Sequence, residues 1–256
     1  MYKLTSIWSL AGTLAYTERA PTFYELYANG AHAATGTYEV GDADASKEKA
    51  VSTDLALRFD NGRHKGSVGV FYSRFSNYIG LLASGRYRDE EGAVVDAGDD
   101  EALPEYLYSG VKADFYGVEA QDRIHLLDSP YGRFDLELSG DYTRAKNKDT
   151  GEALPRIAPL RLNSALLWEL QQWQARVDVE YAADQNRVPE NELRTDGYTT
   201  LGASVGYRFD LGDSRWLAFV KGENLTNQTV RYASSILRDS VPAGGRGIQA
   251  GVKVAF

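Results

Sequence analysis

Residues 173–181, WQARVDVEY, and 201–209, LGASVGYRF, decide how this chain folds. In the first, Trp173, Ala175, Val177, Val179 and Tyr181 alternate with Gln174, Arg176, Asp178 and Glu180. In the second, Leu201, Ala203, Val205, Tyr207 and Phe209 alternate with Gly202, Ser204, Gly206 and Arg208. Successive side chains of a strand point to opposite faces, so this pattern sets one face in an apolar medium and the other in water. The same parity runs through Val51, Thr53, Leu55, Leu57 and Phe59, and through Phe134, Leu136, Leu138 and Tyr142. It closes the chain at Ile248, Ala250, Val252, Val254 and Phe256. Helical periodicity is scarce throughout.

Working outward gives ten segments, near residues 2–16, 47–59, 65–79, 105–126, 132–144, 159–171, 173–185, 197–210, 215–226 and 246–256. Most are far longer than the ~5–6 residues usual for globular strands. They reach the roughly 9–11 that a tilted strand needs to cross a bilayer. Parity is mixed in the third and ninth segments, from Val68 to Ile79 and from Trp216 to Asn224, so their outward faces stay open. Tight turns fall at Asp60–His64, Leu127–Tyr131, around Gln172 and at Leu211–Ser214; long loops fall near 17–46, 80–104, 145–158, 186–196 and 227–245. A soluble antiparallel sandwich accounts for alternation, but not for short and long connections segregated to opposite ends. An outer-membrane barrel accounts for both. Aromatic residues agree with the barrel. Tyr2, Phe59, Phe134, Trp173, Phe209 and Phe256 fall at short-turn ends, and Tyr16, Tyr78, Tyr108, Tyr142, Tyr181 and Tyr198 toward long-loop ends, as two interfacial belts require. The expected fold is all-β: an antiparallel transmembrane β-barrel meander of about ten strands with a polar lumen face.

Composition bounds the remaining classes. With 36 acidic and 28 basic residues in 256, the net charge of −8 argues against nucleic acid as a partner. The absence of Cys excludes disulfides and thiolate metal sites. No apolar run approaches the ~18 residues of a spanning helix, and no basic stretch followed by an apolar one is visible after Met1. Alone these features would suggest a soluble cytoplasmic protein; 17 Tyr and 25 Gly against 7 Pro fit long strands instead.

Several motifs resemble the C-terminal part of TonB-dependent outer-membrane receptors. Residues 16–27, YTERAPTFYELY, are similar to the family's strand-end segment; residues 223–232, ENLTNQTVRY, resemble its penultimate-strand motif, with the Tyr displaced. Residues 116–119, YGVE, fit a G-x-E strand, and the run through Val252, Val254 and Phe256 resembles the outer-membrane assembly signal. Residues 25–42, ELYANGAHAATGTYEVGD, most resemble receptors assigned to zinc uptake. The resemblance implies a fragment of a 22-stranded barrel, without the plug domain that couples ligand to energy. It also implies uptake of a scarce metal ion or metal chelate, zinc or siderophore in class, coupled to TonB in the full-length parent. Implied partners are outer-membrane lipid, the barrel assembly machinery, and the TonB complex through the missing plug; no resident cofactor is implied. Short turns would be periplasmic and long loops extracellular. A passive porin-like channel is the alternative. Ten strands taken from a wider barrel are expected to form an open or poorly closed sheet, since their lumen side chains suit a broader curve.

Candidate site residues cluster in the first long loop. His32 lies there with Glu25, Glu39, Asp42 and Asp44, and imidazole with carboxylate oxygens is a reasonable donor set for Zn²⁺. Glu25 has a competing use: an ion pair with Arg19 that holds the loop over the barrel mouth. Seven carboxylates between Asp89 and Glu101 would attract cations or simply form a solvated loop. His64, in a turn, and His125, on a strand, are expected to be structural. No catalytic constellation is visible, and GAHAATG at 30–36 lacks the Lys of a phosphate loop.

Overall fold

Alternation along each segment becomes a ladder between segments. In the computed structural model, which describes residues 1–255, the elements in chain order are β1 (Tyr2–Lys3), β2 (Trp8–Arg19), α1 (Phe23–Tyr27), β3 (Asn29–His32), β4 (Thr37–Val40), β5 (Glu48–Asp60), β6 (His64–Arg88), β7 (Val94–Val95), β8 (Leu103–Ser129), β9 (Gly132–Asn147), β10 (Arg161–Leu170), β11 (Trp173–Ala182), β12 (Tyr198–Leu211), β13 (Ser214–Glu223) and β14 (Gly247–Ala255). Ten long strands, β2, β5, β6 and β8 to β14, lie side by side in chain order, each antiparallel to the next. β1, β3, β4 and β7 are short additions. β1 and β14 stand at opposite ends of the sheet, which is open among the described residues.

Register keeps one apolar face continuous across these strands. Leu10 lies opposite Leu57, Leu57 opposite Val68, and Val68 opposite Ala120. Further along, Leu166 faces Val177, Val177 faces Ala203, and Val205 faces Val220. A slip of one residue would turn every one of these side chains into the lumen. Val252 and Val254 join the same face opposite Ala218 and Trp216, while Phe256 lies outside the described residues. At the short-turn end the rings form a band: Trp8 lies 4.7 Å from Phe59, Trp173 4.8 Å from Tyr207, and Phe209 6.0 Å from Trp216. The opposite face carries a polar ladder. Asp135 sits within 2.7–3.1 Å of Arg123, His125 and Arg133, and Arg176 reaches Glu137 at 2.6 Å.

The structure corrects several expectations from sequence. The first segment, expected as one strand over 2–16, breaks at residues 4–7; Leu4 and Thr5 donate to the Trp8 carbonyl, and β1 folds back on β2 with Tyr2 opposite Leu10. Mixed parity in the third segment comes from a register shift between Phe75 and Tyr78, where the extra residue exchanges the two faces. The ninth segment has its outward face at Trp216, Ala218 and Val220. About half of the expected loop 80–104 is strand: β6 has 25 residues and β8 has 27, more than twice a bilayer crossing, so the pair projects beyond the membrane. For that reason Tyr78 and Tyr108 are not in the outer aromatic belt, and Tyr198, which bonds Glu180 at 2.6 Å, is on the lumen side. β4 pairs in parallel with β8, the exception to the antiparallel order. All three His lie on strands, His64 as the first residue of β6 and His32 as the last of β3.

Above the bilayer the bulged strands build a small core. Ala113, Ala145 and Leu154 are buried there, covered by Phe75, Tyr78 and Phe115, whose ring centroids lie 5.1–5.3 Å apart. Gly117 leaves room for the Phe71 ring: a Cβ at 117 would stand 2.6 Å from that ring and against the Tyr142 carbonyl. Gly117→Ala is therefore expected to destabilise the folded sheet by about 1–3 kcal/mol, as overpacking does. Gly30→Ala, with no atom within 4 Å of the new Cβ, is expected to stay within about 0.5 kcal/mol. Urea unfolding of the two variants in detergent compares them directly.

Candidate functional site

The long loops meet above the polar face, and the first of them is fastened by a local motif. Thr22 caps α1, accepting from the Glu25 amide, while Glu25 Oε2 accepts from the Thr22 amide at 2.6 Å. This reciprocal capping box satisfies donors that a short helix leaves free. Arg19, at the end of β2, binds both Glu25 oxygens at 2.7 and 2.9 Å and also reaches Glu48 of β5. Glu48 in turn accepts from the Ile79 amide of β6 at 3.1 Å. One guanidinium thus ties helix, loop and three strands together. The Glu25 carboxyl is held below its ordinary pKa chiefly by Arg19.

The hairpin β3–β4 follows, and β4 docks on β8 with Val40 opposite Leu107. Docking brings Glu39 to the Tyr108 hydroxyl at 3.3 Å. His32 Nδ1 lies 2.7 Å from Thr35 Oγ1 and 3.8 Å from Glu39 Oε1. Asp42 donates its amide to the Glu25 carbonyl, and its side chain accepts from the Asp44 amide. Of the sequence-derived donors, the fold brings His32 and Glu39 together. Glu25 is committed to Arg19, and Asp42 to its own turn. Among the described residues no group of three or more His, Asp or Glu side chains is arranged to hold a metal ion. The acidic stretch from Asp89 to Glu101 is exposed, with Asp89 and Asp99 capping their own turns.

Other loops contribute groups that no local motif announces. Glu105, fully buried, binds Arg86 at 2.6 Å and also Arg88. Burial pushes its carboxyl up in pKa, but Arg88, Ser84 and Arg86 outweigh burial and hold it below the ordinary value. Arg238 pairs with Glu192 at 2.5 Å, their side chains 5% and 3% exposed. Arg156 donates to the Leu81 carbonyl at 2.9 Å. A cavity of about 60 Å³ lies where Thr37, Glu39, Tyr106, Arg156, Glu192 and Arg238 converge from four loops and β8. Arg238 and Glu192 are 46 residues apart, and their pairing exists only once the loops are folded.

The long loops thus close a small polar opening over a charged lumen face, inside a lipid-facing band. The family model for the TonB-dependent receptor-like β-barrel matches residues 1–225. The chain belongs to that family. Its place is the outer membrane, as for the iron-regulated outer membrane virulence protein of Vibrio cholerae serotype O1, 24% identical over 250 residues, 91% of this chain and 35% of that one. Among solved structures, the copper transporter OprC superposes with a TM-score of 0.75 at 20% identity, covering 98% of this chain and 37% of that one. The siderophore receptor PirA from Acinetobacter baumannii gives a TM-score of 0.65 at 19% identity, covering 98% and 39%. This receptor barrel segment thus spans little more than a third of the length of the proteins it matches.

Two outcomes follow from the loop contacts. Glu25 has a depressed pKa, so its contribution is complete above the ordinary carboxylate value near 4.3 and is lost as pH falls through the depressed one. The protection factors of the Gly41 and Asp42 amides, each rate taken relative to the intrinsic rate at that pH, are expected to fall on acidification in the wild type; in Glu25→Gln they are expected to be low already at neutral pH. Glu192→Ala leaves buried Arg238 with the half-exposed Asp239 at 3.5 Å as its carboxylate, a loss of about 1–3 kcal/mol for that contact. Limited proteolysis is expected to cut the loops at 183–197 and 224–246 in that variant and to spare them in the wild type.

Proposed function

We propose that this chain is the C-terminal barrel portion of an outer-membrane receptor that takes up a scarce metal ion or metal chelate, with long loops extracellular and short turns periplasmic. The observation that carries the reading is the loop assembly itself. Five long connections fold onto one another above the polar face, and the buried Arg238, Glu192 and Glu39 with the half-buried Arg156 surround a small polar opening. A channel that only sieves by width has no need of a mouth built from desolvated ion pairs. The names of the copper transporter, the siderophore receptor and the iron-regulated protein support metal or metal-chelate cargo. Uptake in the whole protein is driven by TonB through a plug seated against the charged ladder around Asp135 and Glu137. The apolar face meets outer-membrane lipid, and the terminal sequence signal of Val252, Val254 and Phe256 is read by the barrel assembly machinery.

His32 and Glu39 form the metal-facing corner of this mouth. They supply two donors, and a chelate or further groups of the whole protein complete the coordination. Zinc belongs to the cargo class because imidazole nitrogen and carboxylate oxygen suit it. The test is calorimetric titration of Zn²⁺, Cu²⁺ and a ferric siderophore into the refolded chain. His32→Ala is expected to weaken Zn²⁺ binding, and acidification to weaken it in the wild type, since imidazole must be deprotonated to ligate. Equal affinity in wild type and variant removes His32 from the site. Ion conductance through the refolded chain with no binding of any of the three probes favours the passive channel.

A further inference from the structure

The lipid-facing side of the sheet carries a His–Asp pair that solute uptake does not use. His64 opens β6 directly after the short turn, and its Nδ1 lies 3.0 Å from Asp122 Oδ2 on β8. Register sets both on the apolar face. Asp122 stands between Gly66 and Leu138, and His64 lies opposite Ile124. A charge on this face is costly near the bilayer midplane and tolerated at the interface. His64 is the first residue of β6, and its ring lies 6.1 Å from that of Phe59, which puts the pair beside the aromatic band at the interface. Asp122 is 31% exposed at its side chain, yet its Oδ1 is inaccessible and unpartnered, so the oxygen offered to the membrane is Oδ2. Gly66 makes that position possible, because a Cβ there would stand 2.9 Å from Oδ1.

A groove of about 660 Å³ leads away from the pair. It passes from Trp8 and Phe59 over Gly66 and Gly140 to Leu162 and Tyr181. It crosses from β5 to β11, five inter-strand steps, which at ~4.8 Å each is roughly 24 Å, the scale of an extended fatty-acyl chain. Both ends of an amphiphile are thus provided for: an apolar channel on the membrane side of the sheet, and a carboxylate beside aromatic rings at the interface. His64 Nδ1 meets Asp122 Oδ2 from the β6 side, and the Asp122 carboxylate is the acidic group at this end of the groove. Trp8 and Phe59, with centroids 4.7 Å apart, border the site, and the faces of aromatic rings attract cations.

We propose that this groove is a binding site for an amine-bearing phospholipid, its ammonium against Asp122 Oδ2 beside Trp8 and Phe59 and one acyl chain along the groove. The site rests on the proposed orientation, in which the short-turn side meets the phospholipid of the periplasmic leaflet. Charge decides the class of lipid. The accessible group is an oxygen anion, and neighbouring Arg63 is turned away, its Nε donating to the His125 carbonyl at 3.2 Å.

The experiment uses the full chain with Trp168, Trp173 and Trp216 changed to Phe, leaving Trp8 as the single indole. The chain is refolded into phosphatidylcholine vesicles containing acyl-brominated phosphatidylethanolamine, phosphatidylglycerol or phosphatidylcholine at equal mole fraction. Trp8 quenching is expected to show a preference for the ethanolamine lipid over the choline lipid of roughly two- to five-fold, the ratio given by ~0.5–1 kcal/mol for the hydrogen bond that a primary ammonium donates to Asp122 Oδ2 and a quaternary ammonium cannot. Asp122→Asn is expected to abolish the preference, and Gly140→Leu to weaken quenching by all three lipids. Equal quenching by ethanolamine and choline lipids in the parent chain overturns the proposal, and so does a preference that survives Asp122→Asn. Stronger quenching by the glycerol lipid overturns it in favour of an anionic lipid at Arg63. Failure to insert into any vesicle counts against the membrane reading as well, whereas insertion with equal quenching counts against the lipid site alone.

Discussion

Backbone hydrogen bonding in lipid is the constraint on which the rest of this structure depends. Water is absent from the hydrocarbon, so every amide and carbonyl crossing it needs a partner within the protein. For strands the only supply is the neighbouring strand. Ten long strands in chain order satisfy that demand for every strand between the two edges, and the demand then sets the side chains. With the ladder in place, the pleat sends alternate residues to lipid and to lumen, and a one-residue slip would put Arg176 or Asp135 in the bilayer. Register is therefore strongly specified wherever the strands cross, and irregularities collect near the ends. Shifts fall at Lys49/Ala50, Phe75/Tyr78, Ala83/Tyr87 and His125/Leu127.

Those shifts separate the barrel wall from the recognition apparatus. Past Phe75 the faces exchange, and β6 and β8 continue as a long hairpin that no longer needs a lipid face. Water is available there, so buried charges become affordable when paired, as Glu105 is by Arg86 and Arg88 and Glu192 by Arg238. Paired buried charges add little net stability over apolar groups, but they resist substitution because either partner alone is left uncompensated. They define an arrangement, and a receptor mouth needs a defined arrangement more than it needs stability. Arg19 performs the matching task at the base of the first loop, where Glu25 and Glu48 share one guanidinium.

The open sheet has a direct physical meaning. The two edges do not pair with each other among the described residues, and each keeps a row of backbone groups without a strand partner. In the longer proteins that this chain resembles, about two thirds of the length lies beyond the matched segment, enough to supply the remaining wall.

How much of this was legible in the sequence follows from the range of each interaction. Strand number, order, lipid-facing residues and the turn-and-loop asymmetry rest on neighbours two residues apart, and Trp173–Tyr181 or Leu201–Phe209 display them without any fold. The capping box and the Arg19–Glu25 pair span six residues or fewer, and were open to a reading of residues 19–25. Where parity failed, as between Val68 and Ile79, the sequence showed that something happens but not what, because a bulge is defined by the partner strand. The role of Glu25 and Asp42 went to nearby backbone and Arg19, since a carboxylate in a tight loop finds local donors before distant ligands. Arg238, Glu192, Arg156 and Tyr106 carried no signal at all. Their contacts join loops tens of residues apart, and a pairing across such distances is decided only when the barrel wall has set where each loop begins and ends.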